Sequence, residues 1–171
     1  NPGYRDFAMP AMIVKDRRVR DGVSFDVNPA SRQILENLER DGHLASLVHA
    51  GARIHQAGCN GCIGMGQAPA TGRISLRTVP RNFPGRSGTV EDQVYLVSPE
   101  TAAASALTGV ITDPRTLDMA CPTAHEPERY TINVAMLTPP PPPEEAGQVK
   151  LEKGPNIQSI PEFEPPAASF E

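Results

Sequence analysis

The apolar positions near the start of the chain recur at helical spacing. Tyr4, Phe7, Ala8, Ala11, Met12 and Val14 line one face, as an amphipathic helix requires. Asp6 suits its first turn, where the helix dipole favours an anion. Pro10 falls inside the pattern and predicts a kink or an early stop, because it lacks an N–H and crowds the preceding turn. Lys15 to Gly22 is a charged connection that reads as a solvated turn rather than an anion patch. Val23-Ser24-Phe25-Asp26-Val27 then alternates apolar and polar, which predicts a short strand. Asn28 is a good N-cap and Pro29 a good first helical residue. The helix expected there buries Ile34, Leu35 and Leu38 and ends near Asp41-Gly42. Leu44, Leu47 and Val48 line a second short helix ended by Gly51. Ala52-Arg53-Ile54-His55 leads on as a strand into a glycine-rich run.

Alternation returns over Arg73 to Thr78, predicting another strand, and Arg81 to Gly88 reads as loop. Val94 to Val97 is an apolar strand. Thr101 to Leu107 is an alanine-rich helix, with Pro99 and Glu100 at its start and Gly109 past its end. Strand, helix, strand and then a loop rich in chemistry is the pattern of an α/β fold. An open, mostly parallel sheet with flanking helices is expected, with ligands at the strand ends. After about residue 115 the periodicity fades. Pro122, Pro127 and the run Pro139 to Pro143 predict an extended polyproline II segment, a spacer or a docking motif for a proline-binding module. Cys121 lies in this stretch and reads as an incidental thiol.

Composition narrows the function. The chain has 171 residues, enough for one domain with a real core. Its net charge is −4 with both signs interspersed, which argues against a nucleic-acid partner or a membrane surface. No apolar run approaches a membrane span, and no signal peptide is visible at the N-terminus. The cysteines number three, two of them in a ligand-like pair. That argues against a disulfide scaffold and for a reducing, cytoplasmic setting.

The chemistry concentrates in Gly58-Cys59-Asn60-Gly61-Cys62-Ile63-Gly64-Met65-Gly66-Gln67, with four glycines in ten residues. Glycine lets backbone approach a bound object and leaves amide N–H groups unobstructed. Cys59 and Cys62, at CxxC spacing, can bind one inorganic centre. Spacing alone leaves several readings open. Structural zinc wants four ligands, and His43, His49, His55 and His125 form no finger-like pair. A thioredoxin-like redox pair normally opens a helix after a strand. An iron–sulfur cluster takes thiolates but needs more than two. A pair of small buried thiols leaves the glycines unexplained.

Arg77-Thr78-Val79-Pro80-Arg81-Asn82-Phe83-Pro84-Gly85-Arg86-Ser87-Gly88 follows. Together with Cys59-Asn60-Gly61-Cys62-Ile63-Gly64 it closely resembles the aconitase superfamily, the hydro-lyases that include aconitase, homoaconitase and the isopropylmalate isomerase large subunit. There a CxxCxG loop lies just upstream of an N-R-N-F-x-G-R segment. Val94 to Glu100 running into Ala102 to Ala106, and Gly109 to Pro114, are also similar to the family. So is Asn1 with Tyr4 and Asp6, which resembles the T-N-S-x-x-x-D run after the family's first cluster cysteine. An echo falls at Lys153-Gly154-Pro155-Asn156-Ile157.

The resemblance implies a [4Fe–4S] cluster held by three cysteines, its fourth iron acting as a Lewis acid on the substrate's hydroxyl and carboxylate. Cys59 and Cys62 match two of those cysteines; the matching third is missing from this chain. Arg81 and Arg86 match the two arginines that bind substrate carboxylates, a role suited to a planar, permanently charged group. Asn82 and Phe83 are expected to fix the loop. The family's serine base belongs to a fourth domain, so no catalytic base is expected in this chain. Pro80 stands where aconitase itself usually has asparagine, which argues against strict aconitase activity on citrate and is compatible with a related hydroxy-di- or tricarboxylate; an isopropylmalate or homocitrate-type isomerase is the alternative reading. A cluster-free, RNA-binding or degenerate relative is the reading from another class, and the acidic charge balance does not favour it. The expected organisation is a cluster-bearing α/β domain over 1–115, a proline-rich linker over 116–148, and over 149–171 the linker end with the first strand of a swivel domain. The chain is thus expected to be an interior piece whose partners are the N-terminal and swivel parts of a longer protein, and inactive alone.

Overall fold

The computed structural model describes residues 2–59, 61–150 and 152–163. The chain divides into two compact units, Asn1–Asn133 and Val134–Glu171. The first unit is organised around α1 (Arg5–Val14), which buries Phe7, Ala8, Met9, Pro10, Ala11, Ile13 and Val14. Helix α1 packs against both α3 (His43–Ala50) and α4 (Pro99–Thr108). Pro10 does not stop it; the helix runs on to Val14. An interior proline costs about 3 kcal/mol. Burial of Phe7, Met9, Ile13 and Val14, at about 1.5–3 kcal/mol each, outweighs that.

Strands β1 (Asp26–Val27) and β2 (Arg53–Ile54) pair in parallel, Asp26 opposite Arg53 and Val27 opposite Ile54. The strand expected over 23–27 is therefore paired only at its end. The partner strand is short, and the flanking bonds are Arg53 N–H to the Phe25 carbonyl (2.8 Å) and His55 N–H to the Val27 carbonyl (2.9 Å). The crossover runs through α2 (Arg32–Arg40) and α3. Helix α2 starts later than expected: its N-cap is Ser31, whose hydroxyl accepts from the Ile34 N–H at 3.2 Å. Asn28 and Pro29 serve the neighbouring loop instead, for the buried Pro29 offers its carbonyl to the Gly58 N–H at 2.9 Å. Leu38 and Leu47 are fully enclosed, but Val48 is 54% exposed. The inward face of α3 is Leu47 and Ala50.

A second parallel pair joins β3 (Ile74–Arg77) to β4 (Gln93–Leu96), Ile74 opposite Gln93 and Arg77 opposite Leu96. The architecture is thus α/β with parallel strands and flanking helices, realised among the described residues as two separate two-stranded sheets. Helix α4 begins at Pro99 and ends before Gly109 as expected, and Ser98 is its N-cap. The Ser98 hydroxyl accepts from the Thr101 N–H at 3.1 Å, Pro99 opens the first turn, and Gly109 closes it at φ +81°. Ala103, Ala104 and Ala106 are buried, so their small side chains let α4 lie close on its neighbours.

Residues beyond 115 lack periodicity, yet much of that stretch is held to the first unit. Leu117, Met119 and Ala124 pack against the core. The buried Asn37 of α2 donates to the Thr131 carbonyl (3.0 Å) and accepts from the Thr131 N–H (2.8 Å). The Tyr4 hydroxyl donates to Asp41 at 2.7 Å, and its ring meets Tyr130 edge-on at 6.1 Å. The second unit has a one-turn helix, α5 (Pro143–Ala146), which takes up the end of the proline run; Pro142 before it is extended at φ −53°, ψ 151°. Residues 152–163 form no strand. The first strand of a swivel domain is expected somewhere within 149–171; of that range residue 151 and residues 164–171, like the Asn1 end of the N-terminal motif, lie outside the described residues.

Truncating Leu38 to alanine should lower unfolding free energy by about 2–5 kcal/mol in urea melts. Val48→Ala, at an exposed position, should stay within about 0.5 kcal/mol of the parent.

Candidate functional site

The glycine-rich loop leaves β2 and passes through a 3-10 turn at Gly61–Ile63. Gly64 sits at φ +86°, and a Cβ there would lie 2.2 Å from the Ser87 carbonyl oxygen. The cysteine loop and the arginine loop are therefore seated backbone against backbone, an approach that only glycine permits. Ser87, 2% exposed, is the buried floor of that seat.

This seating brings the chemistry together. The Cys59 and Cys62 sulfurs are 3.8 Å apart. At about 2.3 Å per metal–sulfur bond, a tetrahedral ion holds two sulfurs about 3.8 Å apart. The pair is thus spaced to share one inorganic centre. Arg86 donates through Nη1 to the Cys62 carbonyl (3.1 Å) and through Nη2 to the Cys62 sulfur (3.3 Å). Its guanidinium stands 6.0 Å from the Phe83 ring centre. Burial pushes the Cys62 thiol up, but hydrogen bonds with Cys59 and Arg86, and the charges of Arg86 and Arg81, outweigh it and hold the thiol below its ordinary value. Arg81 is exposed and makes no hydrogen bond or ion pair among the described residues, although its charge reaches Cys62. Asn82 ties the loop to β4 through the Val94 carbonyl at 2.8 Å.

As donors, the two thiolates suit iron or zinc in kind. In number they are part of a set, since among the described residues no three of Cys, His, Asp and Glu come together. Cys121 is exposed and free. His55 is engaged elsewhere, its Nε2 2.8 Å from Asp26, which also pairs with Arg53 at 3.2 Å. Asn60 lies outside the described residues.

Sequence reasoning missed Arg77. It reads as an ordinary strand residue, yet its guanidinium donates to the Gly61 carbonyl (2.7 Å) and to the Gln67 carbonyl. The available signal was the alternation in β3. Ser75 and Arg77 share one face, and Arg77 Nε donates to Ser75 Oγ at 3.1 Å. The apolar Ile74, on the other face, is 59% exposed.

A CxxC pair of cysteines seated against an arginine loop, each loop following a strand of a parallel pair, marks this as an α/β domain of one recognisable class. The model of the aconitase family (aconitate hydratase) matches residues 1–109, and the chain belongs to that family. A 3-isopropylmalate dehydratase large subunit of Herpetosiphon aurantiacus is 46% identical over 117 residues, covering 67% of this chain and 28% of that protein. A homoaconitase large subunit of Thermus thermophilus is 42% identical over 120 residues, covering 69% and 28%. A mitochondrial homoaconitase of Cryptococcus neoformans is 34% identical over 133 residues, covering 77% and 18%. The chain thus spans less than a third of the length of these relatives. No helix among the described residues is long and apolar enough to cross a membrane.

Gly64→Ala should unseat the two loops, whereas Gly72→Ala meets nothing within 4 Å although its φ of +68° is similarly strained. Denaturant melts should show the first costing at least about 1 kcal/mol more than the second. Equal costs would mean that the seat is not tight.

Proposed function

We propose that this chain supplies two cluster thiolates, Cys59 and Cys62, and two carboxylate-binding arginines, Arg81 and Arg86, to an aconitase-type hydro-lyase acting on a hydroxy-di- or tricarboxylic acid. The observation that carries the reading is the contact of Arg86 Nη2 with the Cys62 sulfur at 3.3 Å, with the charge of Arg81 reaching the same thiol. Anion-binding groups and metal-ligating groups therefore occupy one place. Support for the substrate class comes from relatives named as 3-isopropylmalate dehydratase and homoaconitase large subunits, and from Pro80, which removes a side-chain amide beside Arg81.

A bound [4Fe–4S] cluster would supply a Lewis-acidic iron that eases departure of the substrate's hydroxyl. This chain's part is to hold and orient. Cys59 and Cys62 present thiolates, and the positive charges beside Cys62 favour its ionised form. Arg86 spends two of its five N–H groups on Cys62, leaving three that can reach a carboxylate. Among the described residues Arg81 spends no donor on the protein, which leaves it able to meet an anion. Loss of water requires that a C–H and a C–O bond break while C=C forms. The proton's acceptor and the remaining thiolate would come from other parts of the parent protein, and a small subunit would complete the assembly, as the large-subunit names of the relatives imply. Three free cysteines suit a reducing, cytoplasmic setting. The proposed organisation keeps the cluster-bearing domain at 1–115, the linker at 116–148 with its first part seated on that domain, and the start of a swivel domain at 149–171.

The test is reconstitution of the full-length parent with iron and sulfide, followed by dehydration assays on isopropylmalate, homocitrate and citrate. Brown chromophore with turnover on the first or second acid supports the proposal; neither chromophore nor turnover sinks it. In the same protein Arg81→Gln should lower kcat/KM by about tenfold to a hundredfold, the worth of a charged hydrogen bond. Its iron content should not change.

A further inference from the structure

We propose that Arg77 is a positioning residue, a guanidinium clamp that fixes the cysteine loop so that Cys59 and Cys62 are held in place before any metal arrives. The carbonyls it holds belong to Gly61, between the two cysteines, and to Gln67, at the far end of the glycine-rich run. Its third contact, Nε to Ser75 Oγ at 3.1 Å, anchors the group to its own strand. One rigid planar fork thus spans the loop from a strand that is itself paired along its length with β4.

The loop needs such a tie. Gly64 and Gly66 both have left-handed φ, +86° and +72°, and glycine keeps the most backbone freedom when nothing restrains it. The loop's own backbone bonds are short-range, Gly64 N–H to Gly61 (3.0 Å) and Gln67 N–H to Gly64 (3.1 Å). The Gly61 carbonyl therefore accepts from inside the loop and from Arg77 at once. Arg86 holds the Cys62 carbonyl, so arginines from two different segments restrain consecutive carbonyls. Lysine could not replace Arg77, because a point charge cannot bridge two carbonyls in a fixed plane. Burial draws the Arg77 guanidinium below its ordinary value, while the charges of Asp92, Asp26 and Cys62 act against that.

The inference rests on Cys59 and Cys62 being the ligands, and its test needs neither cluster nor turnover. Hydrogen–deuterium exchange is followed in the metal-free 171-residue chain and in its Arg77→Met and Arg77→Lys variants. The expected result is exchange at least about tenfold faster over 58–67 in Arg77→Met, matching the loss of a charged hydrogen bond. Amides of α1 and α4 should keep their protection. Arg77→Lys should recover less than half of the loop's protection despite keeping the charge. Unchanged loop exchange in either folded variant overturns the proposal. So does full recovery by lysine, or an equal rise over α1 and α4 in both variants, which would make Arg77 a fold-stability residue. A parent protein that fails to turn over hydroxy acids leaves all of these outcomes readable.

Discussion

The site depends on the passage of Gly64 beneath the Ser87 carbonyl. A side chain at 64 would sit 2.2 Å from that oxygen, so the two loops can meet only where one has no Cβ. Everything chemical follows from this close approach. It delivers Arg86 to the Cys62 sulfur and carbonyl and sets the charge of Arg81 where it acts on the same thiol. The seat is covalently unbridged, so its permanence comes from sterics and from arginine–carbonyl bonds. Such bonds to a charged donor are worth roughly twice a neutral one.

The scaffold exists to hold the ends of these loops. The cysteine loop begins where β2 ends, and Gly58 is tied to the Pro29 carbonyl in the turn before α2. The arginine loop lies between β3 and β4, and Asn82 fastens it to the Val94 carbonyl. Because the strands in each pair run parallel, both loops leave from carboxyl ends, where α/β folds place ligands. Helix α1 is the centre of the packing. Its burial between α3 and α4 gives the crossover something to pack on.

Much of this was legible in the residues. The helices around Leu38, Leu47 and the alanines of α4 follow from apolar spacing and from terminal residues such as Pro99 and Gly109. The cysteine and arginine motifs were visible as strings, and with them the family. Their mutual contact was not, because the bond that matters joins Cys62 to Arg86 and nothing in either string states a distance. Asn28 is the expected cap and Ser31 the observed one; Pro29 is buried and bonded to Gly58, which is a tertiary fact. Val48 fits the helical stripe but faces outward, since α3 turns Leu47 and Ala50 to the core. Pro10 shows the opposite conflict, a local breaker overruled by burial on nearly every side of α1.

Arginine, and not lysine, suits both loops for one physical reason. Each guanidinium here has to hold protein and still present a cation. Arg86 uses two donors on Cys62, and its other three remain directed elsewhere by the same rigid plane. A carboxylate arriving beside Cys62 would therefore meet donors already oriented by their bonds to the loop, so little side-chain entropy is left to lose on binding. The same bonds lower the energy of the Cys62 thiolate, so under the proposed function the binding of a metal and the binding of an anion would both depend on a single side chain. Substituting that side chain would disturb both, whereas Arg81, bonded to neither loop among the described residues and reaching Cys62 through its charge only, would report on the anion more than on the metal.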